Sequence, residues 1–174
     1  LNGTEGIGIL KRSDYAQAGN VVFTGSHIQT LNFGANASNS VLLRSDNGNI
    51  TLDRNIVINN GMGNNVILQA NGIGTSVVNN TGRIMTLDTG AKTSIGMLSS
   101  DSGNLENKGI IVVNEEESQA IAVLSGSTGV NSGTITLNGK ESLGVYNAGT
   151  FTMSSGSIVS GAENSIGVYS DNVN

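Results

Sequence analysis

The chain has 174 residues, enough for one domain with a substantial core, and a formal net charge of −5. It has neither cysteine nor proline, which excludes disulfides and cysteine-ligated metals. Charged residues make up 12%, and no basic cluster occurs, which argues against nucleic acid and anionic membrane as partners.

Glycine is abundant at 25 residues and aromatics are 3%. Disorder is nonetheless not expected, because β-branched residues recur at regular places. A five-residue pattern appears seven times. In chain order it reads Gly6-Ile7-Gly8-Ile9-Leu10, Ser40-Val41-Leu42-Leu43-Arg44, Asn65-Val66-Ile67-Leu68-Gln69 and Ser94-Ile95-Gly96-Met97-Leu98. It continues with Ala120-Ile121-Ala122-Val123-Leu124, Ser142-Leu143-Gly144-Val145-Tyr146 and Ser165-Ile166-Gly167-Val168-Tyr169. Successive strand residues alternate between faces. The second and fourth positions are apolar in every copy and are expected to point inward. The third is often Gly or Ala (Gly8, Gly96, Ala122, Gly144, Gly167) and is expected to point outward.

Asn-x-Gly follows the later copies at Asn80-Thr81-Gly82, Asn107-Lys108-Gly109, Asn131-Ser132-Gly133 and Asn147-Ala148-Gly149. Asn and Gly suit corners, and stacked Asn can form hydrogen-bonded ladders. Behind these corners run Ile110–Val113, Thr134–Leu137 and Thr150–Met153, with earlier counterparts at Val21-Val22-Phe23 and Ile50-Thr51-Leu52. A third, less regular run appears at Ile56-Val57-Ile58 and Ser157-Ile158-Val159. Strand, corner, strand and corner every 22 to 34 residues predict an all-β fold, a right-handed parallel β-helix of about seven coils. A β-sandwich would account for the hairpin signals Asp46-Asn47-Gly48 and Asn138-Gly139, but not for seven copies with the same apolar positions. Residues 1–174 read as one β-helix segment without its own leader or membrane span. The last repeat stops mid-coil, so a piece of a longer array is expected.

The Ser-Ile-Gly-Val-Tyr copy ending the chain (Ser165–Tyr169) and strands such as Thr134-Ile135-Thr136-Leu137 behind Asn-x-Gly resemble the passenger regions of fusobacterial autotransporter adhesins. The resemblance covers the whole chain and is strongest from Ser94 to Asn174. It implies a cell-surface or secreted passenger, exported through the outer membrane by a C-terminal barrel that this sequence does not contain. It also implies attachment to a host-cell or bacterial surface protein or glycan. The motif is the coil scaffold, so it carries over no binding residue.

His27 is the single histidine and reads as a corner or surface residue. A serine-histidine-aspartate site would need it as base, and no nucleophile-elbow motif accompanies it. Glu115-Glu116-Glu117 is the densest acidic cluster and reads as a solvated turn, not as a glycosidase pair. The scattered aspartates sit beside Gly, Asn or Ser, as turns require. No catalytic residue, metal ligand or cofactor is assigned, and no structural calcium is expected. Thr134-Ile135-Thr136 and Thr150-Phe151-Thr152 invite an ice-binding row, which Ile110–Val113 interrupts. The fifth position of the pattern holds Leu10, Arg44, Gln69, Leu98, Leu124, Tyr146 and Tyr169, of which Leu98, Leu124, Tyr146 and Tyr169 form an outward apolar stripe that is the candidate partner-binding surface. The expected function is a structural and adhesive module without enzymatic activity. A purely mechanical spacer is the alternative, and a β-helical carbohydrate-active enzyme has least support.

Overall fold

The computed structural model describes residues 5–12, 19–59, 63–88 and 92–171. Among them every regular element is a β-strand, and all pairs within the three sheets are parallel. The first sheet contains β1 (Ile7–Lys11), β4 (Val41–Ser45), β7 (Val66–Asn71), β10 (Ile95–Ser100), β13 (Gln119–Val123), β16 (Leu143–Asn147) and β19 (Ile166–Ser170). The second contains β2 (Asn20–Thr24), β5 (Gly48–Asp53), β8 (Thr75–Asn79), β11 (Asn104–Asn107), β14 (Thr128–Asn131) and β17 (Thr150–Met153). The third contains β3 (Gln29–Asn32), β6 (Ile56–Asn59), β9 (Ile84–Leu87), β12 (Ile110–Val113), β15 (Thr134–Leu137) and β18 (Ser157–Ser160). Each strand pairs with the one three further along the chain. The molecule is therefore a parallel β-solenoid of about six turns, with a seventh strand in the first sheet. Asp46-Asn47-Gly48 and Asn138-Gly139 are corners between strands of different sheets, not hairpins.

Stacking makes one core from rows that no single coil could bury. Leu43, Leu68, Met97, Ile121 and Val145 line it from the first sheet. Ile56, Met85, Ile111 and Ile135 form one row of the third sheet, and Ile58, Leu87, Val113 and Leu137 the other. All are buried, and each such side chain contributes about 1.5–3 kcal/mol through removal from water.

The second sheet carries a polar row inside. Phe23 and Leu52 are followed by Asn79, Asn107, Asn131 and Met153. The three asparagines are fully buried. Asn79 Nδ2 donates to Asn107 Oδ1 at 2.8 Å, and Asn107 Nδ2 to Asn131 Oδ1 at 2.7 Å. Asn131 Nδ2 reaches Met153 Sδ at 3.4 Å. The same amides bond the carbonyls of Ile110, Gly109 and Gly133, which fixes the turn into the third sheet. The expected asparagine ladder thus forms through Asn107 and Asn131. Its first member is Asn79 rather than Asn80, whose amide bonds Asp53.

Each first-sheet strand is entered through one corner geometry. Glu5, Asn39, Asn64, Thr93, Glu117, Glu141 and Asn164 all have positive φ, between 49° and 63°. The residue after each opens the strand pattern, and its amide often bonds the side chain one coil on. Gly6 N donates to Ser40 Oγ at 3.0 Å, Ser40 N to Asn65 Oδ1 at 3.1 Å, Ser94 N to Ser118 Oγ at 3.1 Å and Ser142 N to Ser165 Oγ at 3.3 Å. Left-handed backbone costs a non-glycine residue roughly 1–2 kcal/mol. Glu141 is exposed there, and its backbone bond to Glu163 O survives side-chain removal. Glu141→Gly is therefore expected to raise the unfolding free energy by about 0.5–1 kcal/mol, the relieved strain exceeding the added chain entropy. A urea melt whose midpoint does not rise would count against the strain.

Three details of the sequence reading are corrected by the structure. First, the third position of the pattern points inward. Leu42 and Leu43, Ile67 and Leu68, and Ala120 and Ile121 are consecutive buried core residues. The second-position residues Val41, Val66, Ile95 and Leu143 are only half-buried. The ladder pairs the second and fourth positions and skips the third, so the strand bends there and turns two neighbours inward. The glycines at this position fit a tight interior. A Cβ on Gly96 would lie 2.7 Å from Ala120 O and 3.4 Å from Leu87 Cδ1.

Second, the fifth copy begins at Ser118, not Ala120. Gln119 pairs with Ile95, Ile121 with Met97 and Ala122 with Leu98. A slip of two residues leaves strict alternation unchanged, so alternation alone does not set the register. Ser118 and the positive φ of Glu117 set it.

Third, the runs behind Asn-x-Gly belong to different sheets. Ile110–Val113 and Thr134–Leu137 are third-sheet strands, whereas Thr150–Met153 stacks on Thr128–Asn131 in the second. The two Thr-x-Thr segments are consequently not neighbours in one row.

Candidate interaction surface

The outer face of the first sheet changes character along the solenoid. After the exposed Leu10 of the first strand it is polar through the second and third coils. Arg44 Nε donates to Asp46 Oδ1 at 2.6 Å, and Asn71 Nδ2 reaches the same oxygen at 3.1 Å. Ser100 Oγ donates to Asn71 Oδ1 at 2.9 Å, and Gln69 Nε2 to Ser100 Oγ at 3.2 Å. From the fourth coil onward this network gives way to aliphatic and aromatic side chains.

Fifth-position residues pair as Leu98, Ala122, Tyr146 and Tyr169, which form one continuous row outside the core cluster. Leu124 is not in it. Its amide bonds Ser99 O just beyond β13, so it sits two residues past Ala122, on the outward face beside the row. The four residues singled out in the sequence thus share a face but occupy two rows. The two-residue slip of the fifth copy accounts for the difference. Their exposures also differ. Leu98 is 8% exposed, Leu124 38% and Tyr169 48%, while Tyr146 is half-buried. Ile166, at 51%, adds to the exposed apolar surface at the last strand.

The two tyrosine rings stack with centroids 6.0 Å apart and planes 17° from parallel. This is a favourable aromatic distance, reached because parallel pairing puts Tyr169 directly against Tyr146. Tyr146 Oη donates to Asp171 Oδ2 at 3.2 Å. Desolvation, and then the carboxylate, push the Tyr146 hydroxyl above the usual tyrosine range near 10. A raised acid favours its neutral form in the fold, so this contribution is present below pH 10 and is lost as pH rises through the higher folded value. Asp171→Asn is expected to move the phenolate transition seen at 295 nm back toward ordinary tyrosine. An unmoved transition would remove Asp171 as a cause.

Carboxylates flank this apolar stretch. Glu117 and Glu141 stand at the corners that lead into β13 and β16, while Asp101 and Asp171 follow β10 and β19. Lys92 Nζ lies 2.9 Å from both Glu116 Oε2 and Glu117 Oε1, and it holds the Glu116 carboxyl below its usual range. Lys140 pairs with Glu163 at 3.1 Å. The cluster expected as a solvated turn is solvated only in part. Glu115 is 1% exposed, and its Oε2 accepts a hydrogen bond from Ser118 Oγ at 3.0 Å. Acidic runs give no signal of such inward placement, which depends on the Ser118 corner. His27 lies exposed at the corner between β2 and β3. Its carbonyl and that of Thr24 accept bonds from Arg54 at 3.1 and 3.2 Å. Among the described residues no group of three or more His, Cys, Asp or Glu could hold a metal ion.

No family model matches the chain, and no curated protein or solved structure shows significant similarity to it.

Proposed function

We propose that the chain is a structural and adhesive segment of a cell-surface or secreted passenger of the autotransporter kind, and that it attaches to a host-cell or bacterial surface protein or glycan without turning it over. The observation that carries this reading is the change on one sheet face from a hydrogen-bonded polar network to an apolar patch with stacked tyrosines. Exposed apolar patches on rigid scaffolds commonly serve as interfaces, and tyrosine is enriched in them. Attachment to the outer membrane would come only through a C-terminal barrel beyond this sequence.

Binding of labelled protein to epithelial cells and to partner bacteria tests the proposal. Saturable binding that falls in a Leu124→Ser/Tyr169→Ser variant supports it. Leu98 is left intact in that variant because it is buried. A mechanical spacer is the second reading, favoured by the unbroken ladders of all three sheets. A folded protein that binds neither cell type would select it. The carbohydrate-active enzyme has less support, since the carboxyls of Glu115, Glu116 and Glu117 are already engaged by Ser118 and Lys92.

A further inference from the structure

We infer that the outer face of the first sheet across the last four coils, centred on Leu124, Tyr146 and Tyr169, is a docking surface for a cationic, apolar polypeptide segment. The inference rests on the adhesive reading above and names the chemistry of its partner.

Two independent observations carry it. The first is the apolar patch beyond the Gln69–Ser100 hydrogen bond, which the polar second and third coils separate from the exposed Leu10 of the first strand. The second is the distribution of charge. Residues 92–171 hold three lysines against eight carboxylates, which is the whole of the chain's formal net charge of −5. The rest of the chain is balanced. Of the four flanking carboxylates the lysines neutralise only Glu117. Lys92 is engaged by Glu116 and Glu117, Lys140 by Glu163 and Lys108 by Glu106. Among the described residues Asp101 and Glu141 form no ion pair, and the Asp171 carboxylate accepts a hydrogen bond from the Tyr146 hydroxyl and forms no ion pair.

An apolar strip between two carboxylate margins selects a partner with the complementary arrangement, aliphatic at its centre and basic at its edges. It disfavours acidic proteins and anionic bilayers, because like charges brought together across an interface cost binding energy. A neutral sugar could stack on Tyr169 but would leave the carboxylate margins unused.

The molecule supplies its own reporter. It has no tryptophan and three tyrosines, two of them in the patch. Tyrosine emission of the intact chain can be followed while a synthetic peptide of alternating lysine and leucine is added. Peptides of alternating lysine and glycine, and of glutamate and leucine, serve as comparisons, with cellohexaose as the glycan probe. Saturable binding of the lysine–leucine peptide is expected, about tenfold or more tighter than either comparison peptide. It should weaken severalfold in ~0.5 M salt. Tyr169→Ser should weaken it about tenfold, whereas Val159→Ser, on the third sheet, should leave it unchanged. Tyr169 lies exposed on the last strand, so its loss should not disturb the fold, and Leu124→Ser provides a second variant.

Equal affinity for the lysine–glycine peptide would reduce the surface to unspecific charge and overturn the inference. So would an unchanged affinity in both variants, or binding of cellohexaose alone. Cell attachment without peptide binding would overturn this inference while leaving adhesion standing. Peptide binding without cell attachment would sink adhesion and leave the surface.

Discussion

Asn107→Leu is expected to lower the unfolding free energy by about 3 kcal/mol, although leucine matches the apolar residues elsewhere in this interior. Asn107 accepts from Asn79, donates to Asn131 and also reaches Gly109 O. The substitution removes all three bonds and leaves a buried amide hydrogen on Asn79 and a buried amide oxygen on Asn131 without their ladder partner. Each unsatisfied buried group costs about 1–3 kcal/mol, against which leucine burial returns only part. The triple replacement of Asn79, Asn107 and Asn131 by valine should cost less than the sum of the three single changes, because it strands fewer half-partners. It should not be neutral, since the corner carbonyls of Ile110, Gly109 and Gly133 lose their donors. Urea unfolding of the four variants decides the matter. Strict additivity would mean that the three amides act separately.

Gly144→Val is expected to be comparably severe, at about 3 kcal/mol. A Cβ at Gly144 would lie 3.0 Å from Ile158 Cγ2 and closer still to the Gly167 carbonyl oxygen. One contact is backbone of the next coil, which cannot yield without displacing a strand, and the other is a branched side chain packed against the core. Gly144→Ala should cost less, about 1–2 kcal/mol, because it adds one carbon to the same gap. If the third position faced solvent, valine would instead be tolerated or favoured in a strand. An unchanged denaturation midpoint would therefore overturn the inward bend.

These two residues also mark where sequence reasoning succeeded and where it stopped. The fourth-position row was legible because Leu43, Leu68, Met97 and Val145 are apolar and recur in step. The inward third position was not, because a glycine is silent about direction, and because strict alternation does not allow two neighbouring residues to share a side. The second sheet was nearly invisible in the middle of the chain. Of its inner positions there Val77 and Leu105 are apolar, but Asn79, Asn107, Gly129 and Asn131 fill the others, and an apolar count passes over them. Tyr146 and Tyr169 were placed correctly in one row, since their copies differ by a regular coil. Leu124 was misplaced because a two-residue slip preserves alternation, and only the Ser118 hydroxyl and the Glu117 backbone distinguish the two registers.

The repeated left-handed corner has a consequence for how such a chain can change length. Glu117-Ser118 and Glu141-Ser142 are equivalent junctions on successive coils, with the same backbone geometry and corresponding backbone bonds to the next coil. Excising residues 118–141 would join Glu117 to Ser142 through a bond of the kind already present at both sites. Strand β16 would then meet β10 in the register that β13 now occupies, and Asn107 would face Met153 in place of Asn131. The coil between these junctions is thus a cassette, and its duplication or loss would extend or shorten the stack by one turn through the same corner.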